Sequence, residues 1–101
     1  MEEIKMHAMV RFYSGQGATE LFKLLEDRKE EVEDLIRGVS GLVSYDIVKT
    51  EEGGMTITVC EDKTGTDESL EVALGWLKEN AAHLKVNAPG VSEGTVTVHL
   101  P

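Results

Sequence analysis

The amino-acid sequence predicts an α+β fold in which strands and helices follow one another in the order β-α-β-β-α-β. In the central segment, residues 41–62, two stretches alternate apolar with polar residues, which is the period of half-buried strands. A segment with helical spacing of its apolar residues lies on each side of this pair, and a further alternating segment lies near each end. With 101 residues, the chain is expected to form a single domain, 1–101.

The first strand is predicted from Met6 to Tyr13 and the first helix from a stripe of apolar residues that follows it. The glycine-containing loop between them, Ser14–Thr19, could present amides to an anion, although an ordinary turn is the favoured interpretation. Like charges one turn apart predict a bend or break in the helix near Arg28, and Gly38 is expected to end it. The stripe consists of Leu21, Leu24, Leu25, Val32, Leu35, Ile36 and Val39.

The central pair of strands is predicted to be a β-hairpin, with Gly53 and Gly54 supplying the positive φ angles of its turn. A polar loop is expected from Lys63 to Thr66, followed by a second helix that begins at Asp67 or Ser69. The last strand is predicted over residues 94–100. The core stripe of this helix is predicted to be Leu70, Ala73, Leu74, Leu77, Ala81 and Leu84. A second stripe on nearly the opposite side consists of Val72, Trp76 and His83, with Asn80 at its edge.

With right-handed crossovers, this element order predicts the ferredoxin-like fold, a four-stranded antiparallel sheet in the order 4-1-3-2 with both helices on one face. The helix-covered face is predicted to carry Ala8, Val10, Phe12, Val43, Tyr45, Ile47, Ile57, Val59, Val96 and Val98. The opposite face is predicted to carry Met9, Tyr13, Val48, Thr56, Thr58, Cys60, Thr95 and Thr97, together with His7, Arg11, Ser44, Asp46 and His99. Because that face mixes apolar and polar residues, we expect a second copy of the chain to cover it.

Composition disfavours several classes of partner. The formal net charge of −9 repels nucleic acids and anionic membrane surfaces, and no apolar run approaches the ~20 residues that span a bilayer. Cys60 is the only cysteine, and residues 1–5 lack the features of a signal peptide, so a cytoplasmic location is expected. No metal site is expected from the spacing of the histidines and the single cysteine. No cofactor is expected either, since the glycine loop lacks the full pattern of a phosphate loop or a dinucleotide fingerprint.

Four passages resemble the dimeric α+β barrel superfamily and, within it, the antibiotic biosynthesis monooxygenase-like proteins. They are Met-Val-Arg-Phe-Tyr at 9–13, Gly-Leu-Val-Ser-Tyr-Asp-Ile-Val at 41–48, Glu-Glu-Gly-Gly at 51–54 and Thr-Val-Cys-Glu-Asp-Lys at 58–63. The resemblance implies a homodimer that binds a small apolar, aromatic or polyketide-like molecule between helix and sheet. It also implies oxygenase chemistry without a cofactor.

Two groups of residues are candidates for a site. In the first, His7 or His99 could act as a general base oriented by Asp46, with Arg11 binding an anionic oxygen; the alternative is a network of polar contacts in a dimer interface. In the second, the stripe of Val72, Trp76, Asn80 and His83 could line a pocket. Its alternative is packing of Trp76 against the first helix, the hairpin or a partner subunit. Tyr13 and Tyr45 are candidate ligand contacts of the same pocket; the alternative for each is a core ring with its hydroxyl at the edge.

The candidate groups leave two functions open. One is an enzyme acting on a small, largely apolar molecule, and the other is a non-catalytic ligand-binding or stress-associated dimer. Catalysis requires a titratable group within hydrogen-bond reach of the ligand, whereas binding does not.

Overall fold

In a computed structural model, which describes residues 5–101, four antiparallel strands form one sheet in the order β2-β3-β1-β4. Three α-helices pack on one face, and a short 3-10 turn follows the last of them. The elements are β1 (His7–Ser14), α1 (Ala18–Asp27), α2 (Lys29–Arg37), β2 (Leu42–Thr50), β3 (Gly53–Cys60), α3 (Lys63–Asn80), the 3-10 turn (Ala82–Leu84) and β4 (Gly90–Thr95). The predicted sheet order and the ferredoxin-like α+β class are confirmed. Residues 1–4, on which part of the expected location depends, lie outside the described residues.

The first predicted helix is two helices, α1 and α2, separated at Arg28. Arg28 has φ −113° and ψ 30°, outside helical geometry, and Gly38 follows the last residue of α2. The break predicted from the like charges and the end predicted at Gly38 are therefore confirmed.

The helix α3 begins earlier than predicted because Asp62, rather than Asp67 or Ser69, is its N-cap. The Asp62 carboxylate accepts a hydrogen bond from the Thr64 backbone N–H at 2.9 Å. Gly65 lies within the first turn, where an added Cβ would lie 2.4 Å from the Ser40 carbonyl oxygen. This glycine, which in the sequence suggests a loop, is required by close packing of α3 on its neighbours.

The final strand also differs from the prediction, since β4 spans Gly90–Thr95 instead of residues 94–100. His7, the first residue of β1, pairs with Thr95, so the residues after Thr95 have little of β1 left to pair with. Beyond it, the Val96 N–H still donates to the Met6 carbonyl at 2.9 Å. Residues 96–101 therefore extend past the sheet.

The predicted hairpin is confirmed, but its turn consists of Glu51 and Glu52. The two glycines expected in the turn lie inside β3, where Gly54 faces helix α1. An added Cβ on Gly54 would lie 2.3 Å from the Phe22 ring and 2.5 Å from the Val48 carbonyl oxygen. Gly54 is thus required by the approach of α1 to the sheet rather than by the turn.

The assignment of sheet faces was wrong for all of the assigned residues of β1 and β3. The helices cover the face that carries Met9, Arg11, Thr56 and Thr58, each at most 3% exposed. Phe12, on the opposite face, is 47% exposed. The uncovered face is also formed by Ala8, Val10, Ser44, Asp46, Val48, Met55, Ile57 and Val59. It is more apolar than the face that was expected to need a partner.

Only part of strand β2 agrees with the predicted assignment of faces, because the strand contains a bulge. The register shifts between Leu42 and Ser44, after which Tyr45 pairs with Thr58 and Ile47 pairs with Thr56. Tyr45 and Ile47 therefore lie on the helix-covered face, as predicted.

Helix α3 is rotated relative to the prediction. Trp76 is 8% exposed and belongs to the hydrophobic core, whereas Leu74, predicted as core, is 44% exposed. The core also contains the predicted stripe of α1 and α2, since Leu21, Leu25, Val32 and Ile36 are buried in it. Phe22, which lies outside that stripe, packs against Tyr13 with ring centroids 5.6 Å apart.

Candidate ligand site between the sheet and the helices

A narrow cavity of about 30 Å³ lies between the helix-covered face of the sheet and the three helices. Four residues proposed from the sequence as ligand contacts line it together: Arg11, Tyr13, Tyr45 and Trp76. The remaining wall is formed by Leu21, Leu25, Val32, Leu35, Ile36, Thr56, Ala73 and Leu77. The cavity is therefore apolar except for one guanidinium and a few hydroxyl groups on its sheet side.

Arg11 is the polar centre of this cavity. Its side chain is 0% exposed, and its Nε donates to the Thr56 hydroxyl at 2.8 Å. The two terminal nitrogens donate to the Ser69 carbonyl at 3.3 Å and to the Tyr45 hydroxyl at 3.4 Å. Among residues 5–101, no carboxylate lies within 4.0 Å of this guanidinium. All of its protein partners are thus neutral acceptors.

Two tyrosines stand beside Arg11. Burial raises the pKa of Tyr45 above its ordinary value, and the nearby positive charge of Arg11 opposes this only in part. Burial raises the pKa of Tyr13 as well, with Arg11 again opposing it. Both hydroxyls are therefore protonated at neutral pH, and neither neutralises Arg11.

Trp76 closes the helical side of the cavity. Its Nε1–H donates to the Glu31 carboxylate at 3.1 Å, and the Arg28 guanidinium carbon lies 5.1 Å from the centre of its ring. Glu31 also accepts two hydrogen bonds from Arg28. Arg28 at the break between α1 and α2, together with Glu31, thus holds Trp76 in place. This agrees with the alternative interpretation, in which Trp76 packs against the first predicted helix.

The rest of the second candidate stripe does not reach the cavity. Asn80 donates a hydrogen bond to the Trp76 carbonyl at 3.0 Å, one turn back along the helix. His83 is exposed in the 3-10 turn. The stripe was defined on one continuous α-helix, whereas α3 ends at Asn80, so His83 does not continue it.

The first candidate group is divided between the two sheet faces. His7 lies on the covered face, where its Nδ1 is 2.8 Å from the Thr66 hydroxyl and its Nε2 is 3.4 Å from the Glu93 carboxylate. Asp46 pairs with Ile57 on the opposite face, because the β2 bulge changes the alternation before it. His99 is exposed beyond the end of β4. The predicted grouping of His7, Arg11, Asp46 and His99 on one face was therefore wrong.

Sequence reasoning missed Thr56 and Ser69 as partners of Arg11. Thr56 could have been found, because the antiparallel register of the first and third strands places Arg11 opposite Thr56. The contact with the Ser69 carbonyl depends on where α3 crosses the sheet, and no local pattern specifies that position.

The Ser14–Thr19 loop forms a turn, as the favoured interpretation expected. Gly15 and Gly17 have φ values of 78° and 77°, which non-glycine residues rarely adopt. An added Cβ on Gly17 would also lie 2.4 Å from the Leu84 carbonyl oxygen. Chain geometry is sufficient to explain the glycines of this loop.

Residues 5–101 contain neither a metal-binding cluster nor a membrane-spanning helix. No group of three or more histidine, cysteine, aspartate or glutamate side chains is arranged to hold a metal ion there. None of the helices in this part of the chain is long and apolar enough to cross a membrane.

Several solved structures are similar to this one. No protein family and no curated protein matches the chain. A protein of unknown function from Nitrosomonas europaea, NE2512, is 22% identical over 96% of this chain and 94% of its own, with a TM-score of 0.69. The monooxygenase ActVA-Orf6 of Streptomyces coelicolor, solved with the ligand nanaomycin D, is 20% identical over 97% and 92%, with a TM-score of 0.60.

A third similar structure is a dimeric ferredoxin-like protein from an uncultured marine organism. It is 17% identical over 98% of this chain and 93% of its own, with a TM-score of 0.61. The chain therefore has the ferredoxin-like fold shared by these proteins, and its resemblance to the dimeric α+β barrel, antibiotic biosynthesis monooxygenase-like proteins is confirmed at the level of the fold.

Proposed function

We propose that this protein is a homodimer that binds a small, largely apolar or aromatic molecule in the cavity between its sheet and its helices. The observation that carries the proposal is the convergence of Arg11, Tyr13, Tyr45 and Trp76 on one otherwise apolar cavity. Apolar walls with a few polar groups are typical of small-molecule sites. The similar structure of ActVA-Orf6 was solved with the ligand nanaomycin D, which supports the proposal that this chain also binds a small molecule.

Ligand entry requires the cavity to widen. Its volume of about 30 Å³ is enough for one or two water molecules and too small for an aromatic ring. The helical wall is interrupted at Arg28, so α2 can move away from the sheet without breaking hydrogen bonds within a helix. We propose that the ligand displaces α2 and the Trp76 ring when it enters.

Binding can be tested by NMR, with toluene and benzamide as probes. Titration should shift the Trp76 indole N–H resonance and the backbone amides of the cavity wall. Ala73→Leu, which fills the cavity, should lower the affinity for both probes at least about tenfold. The matched control is Ala82→Leu in the exposed 3-10 turn, which should bind as the parent protein does. Equal binding by both variants would place the ligand elsewhere.

The proposed dimer interface is the uncovered sheet face. Its apolar residues form a continuous surface that includes Val10, Phe12, Val48, Met55 and Ile57. Exposed apolar surfaces of this kind mark interaction sites in soluble proteins. A second copy related by a two-fold axis would present the same surface and bury both.

Neighbouring residues of β3 provide the test of this interface. Ile57→Arg should yield a folded monomer in sedimentation, because Ile57 faces outward from the sheet. Thr58→Arg should instead prevent folding, because Thr58 is 0% exposed beneath the helices. A dimeric Ile57→Arg protein would show that the interface lies on another surface.

The more specific proposal is oxygenation of the bound aromatic molecule without a cofactor. In such a reaction a methylene group of the substrate becomes a carbonyl, one atom of O2 enters the product, and the other leaves as water. The substrate supplies all the electrons. Anthrone and ¹⁸O2 test this, with mass spectrometry of the product and Ala73→Leu as the control.

Non-catalytic binding is the second candidate, and one observation favours it. Among the described residues that line the cavity, only Arg11 and the two tyrosines are titratable, and both tyrosines have raised pKa values. A general base is therefore lacking from this wall. Tight binding of anthrone without faster oxygen incorporation than in buffer would support this candidate. We also propose a cytoplasmic location for this protein, whichever of the two functions it has.

A further inference from the structure

The charge of Arg11 is not balanced by the groups that surround it. A guanidinium has five N–H donors and remains protonated in proteins. Hydrogen bonds from Arg11 to Thr56, Ser69 and Tyr45 use one donor on each of its three nitrogens. One N–H on each terminal nitrogen is left over, at a side chain that is 0% exposed and lines the cavity.

Buried charges in proteins are usually paired with an opposite charge, because desolvation of an unpaired ion is costly. Within residues 5–101, Arg11 has no carboxylate within 4.0 Å. The adjacent tyrosines remain neutral at physiological pH. Among the described residues, the positive charge on the sheet side of the cavity therefore has no counter-ion.

We propose that the ligand supplies this counter-ion: it carries an acidic oxygen, a carboxylate or a phenolate, that accepts hydrogen bonds from the two free N–H groups of Arg11. This inference rests on the proposed function and specifies the class of molecule that the site selects. The apolar wall holds the carbon skeleton of the ligand, and Arg11 fixes the orientation of the acidic oxygen. Arg11 also stabilises a phenol in its ionised form.

The overall charge of the protein makes this preference specific to the cavity. At a formal −9, the protein repels anions over long range, so the rest of its surface disfavours them. Added salt screens this repulsion but acts less on a buried pair. Affinity for an anionic ligand should therefore stay constant or rise as salt is added, the opposite of binding to exposed basic residues.

The experiment compares two pairs of single-ring probes that have similar shape and different charge. Benzoate is matched with benzamide, and 4-nitrophenol is matched with nitrobenzene. We expect benzoate to bind about tenfold or more tightly than benzamide, as NMR titration measures. Binding should lower the pKa of 4-nitrophenol by about one to three pH units, which its visible absorbance reports.

Arg11→Met removes the charge and retains an apolar side chain of similar length. In this variant, benzoate and benzamide should bind equally well, and bound 4-nitrophenol should regain its ordinary pKa. Arg11→Lys should keep part of the preference, since it restores a cation without the planar donor geometry. If Arg11→Met does not fold, the absorbance of 4-nitrophenol with the parent protein still decides the question.

Two failures can be told apart. Equal affinity of the parent protein for benzoate and benzamide would overturn this inference and leave the proposed function standing. Absence of binding by all four probes would instead overturn the proposed function itself. A preference for benzoate with no change in the pKa of 4-nitrophenol would restrict the ligand to carboxylates.

Discussion

Trp76 and Leu74 provide a sharp test of how helix α3 sits on the sheet. The helical pattern of the sequence puts Leu74 in the core and Trp76 on nearly the opposite side, whereas the structure reverses the two. We therefore expect Trp76→Ala to destabilise the protein far more than Leu74→Ala.

The expected magnitudes follow from burial. Trp76 is 8% exposed and packs within the main cluster, so its truncation should cost about 3 to 5 kcal/mol. Leu74 is 44% exposed, and its truncation should cost less than about 1 kcal/mol. A further part of the Trp76 loss arises because the Glu31 carboxylate and the Arg28 guanidinium lose their aromatic partner.

Urea denaturation followed by circular dichroism can measure both variants. A difference of 2 kcal/mol or more should separate their midpoints by about 1 M. The protomer concentration must be the same throughout, because the proposed dimer would make apparent stability depend on it. If Leu74→Ala is as costly as Trp76→Ala, the placement of α3 and of Trp76 at the cavity is wrong.

Two further predictions concern glycine packing and pH. Gly54→Ala should destabilise the protein by about 1 to 3 kcal/mol, since the new methyl group would meet the Phe22 ring at 2.3 Å. Gly75 lies in a helix interior, where an added Cβ would have no neighbour from another part of residues 5–101 within 4 Å, so Gly75→Ala should stabilise the protein by about 0.5 to 1 kcal/mol. Thermal denaturation of both variants tests these opposite signs. A hydrogen bond from Arg28, and to a smaller extent one from Trp76, holds the pKa of Glu31 below its ordinary value of 4.5. The ionised Glu31 therefore stabilises the fold above pH 4.5, and this stabilisation is lost as the pH falls through the lowered pKa. Trp76 fluorescence should change in this acidic range in the parent protein and not in Glu31→Gln. Identical titrations of the two proteins would contradict the contact between Glu31 and Trp76.

Local patterns were sufficient for the elements and their order. The alternation of two segments around residues 51–54 specified the hairpin, and the like charges flanking Arg28 specified the helix break. These features depend on residues close together in the chain, whose interactions the sequence displays directly. The four ligand-contact candidates also meet at one cavity, although three of them were placed on the wrong side of the sheet or helix for it: Arg11, Tyr13 and Trp76.

Glycines were harder to interpret from the sequence. Gly54 and Gly65 suggest turns or loops, yet both lie within regular elements. Each is there because another element approaches it too closely for a side chain, the Phe22 ring in one case and the Ser40 carbonyl in the other. Such contacts join residues distant in sequence, so only the folded chain reveals them.

The sequence by itself determined which residues share a face of β1 and of β3, and the tertiary structure decided which face the helices cover. Alternation separates Val10 and Ile57 from Arg11 and Thr56, but it does not say which set meets the helices. The usual assumption is that the more apolar set faces the helices. It fails here because the more apolar set lies on the uncovered face, which the proposed second copy would cover. Helix packing then leaves a buried arginine on the covered side, and this arrangement gives the candidate site its chemistry.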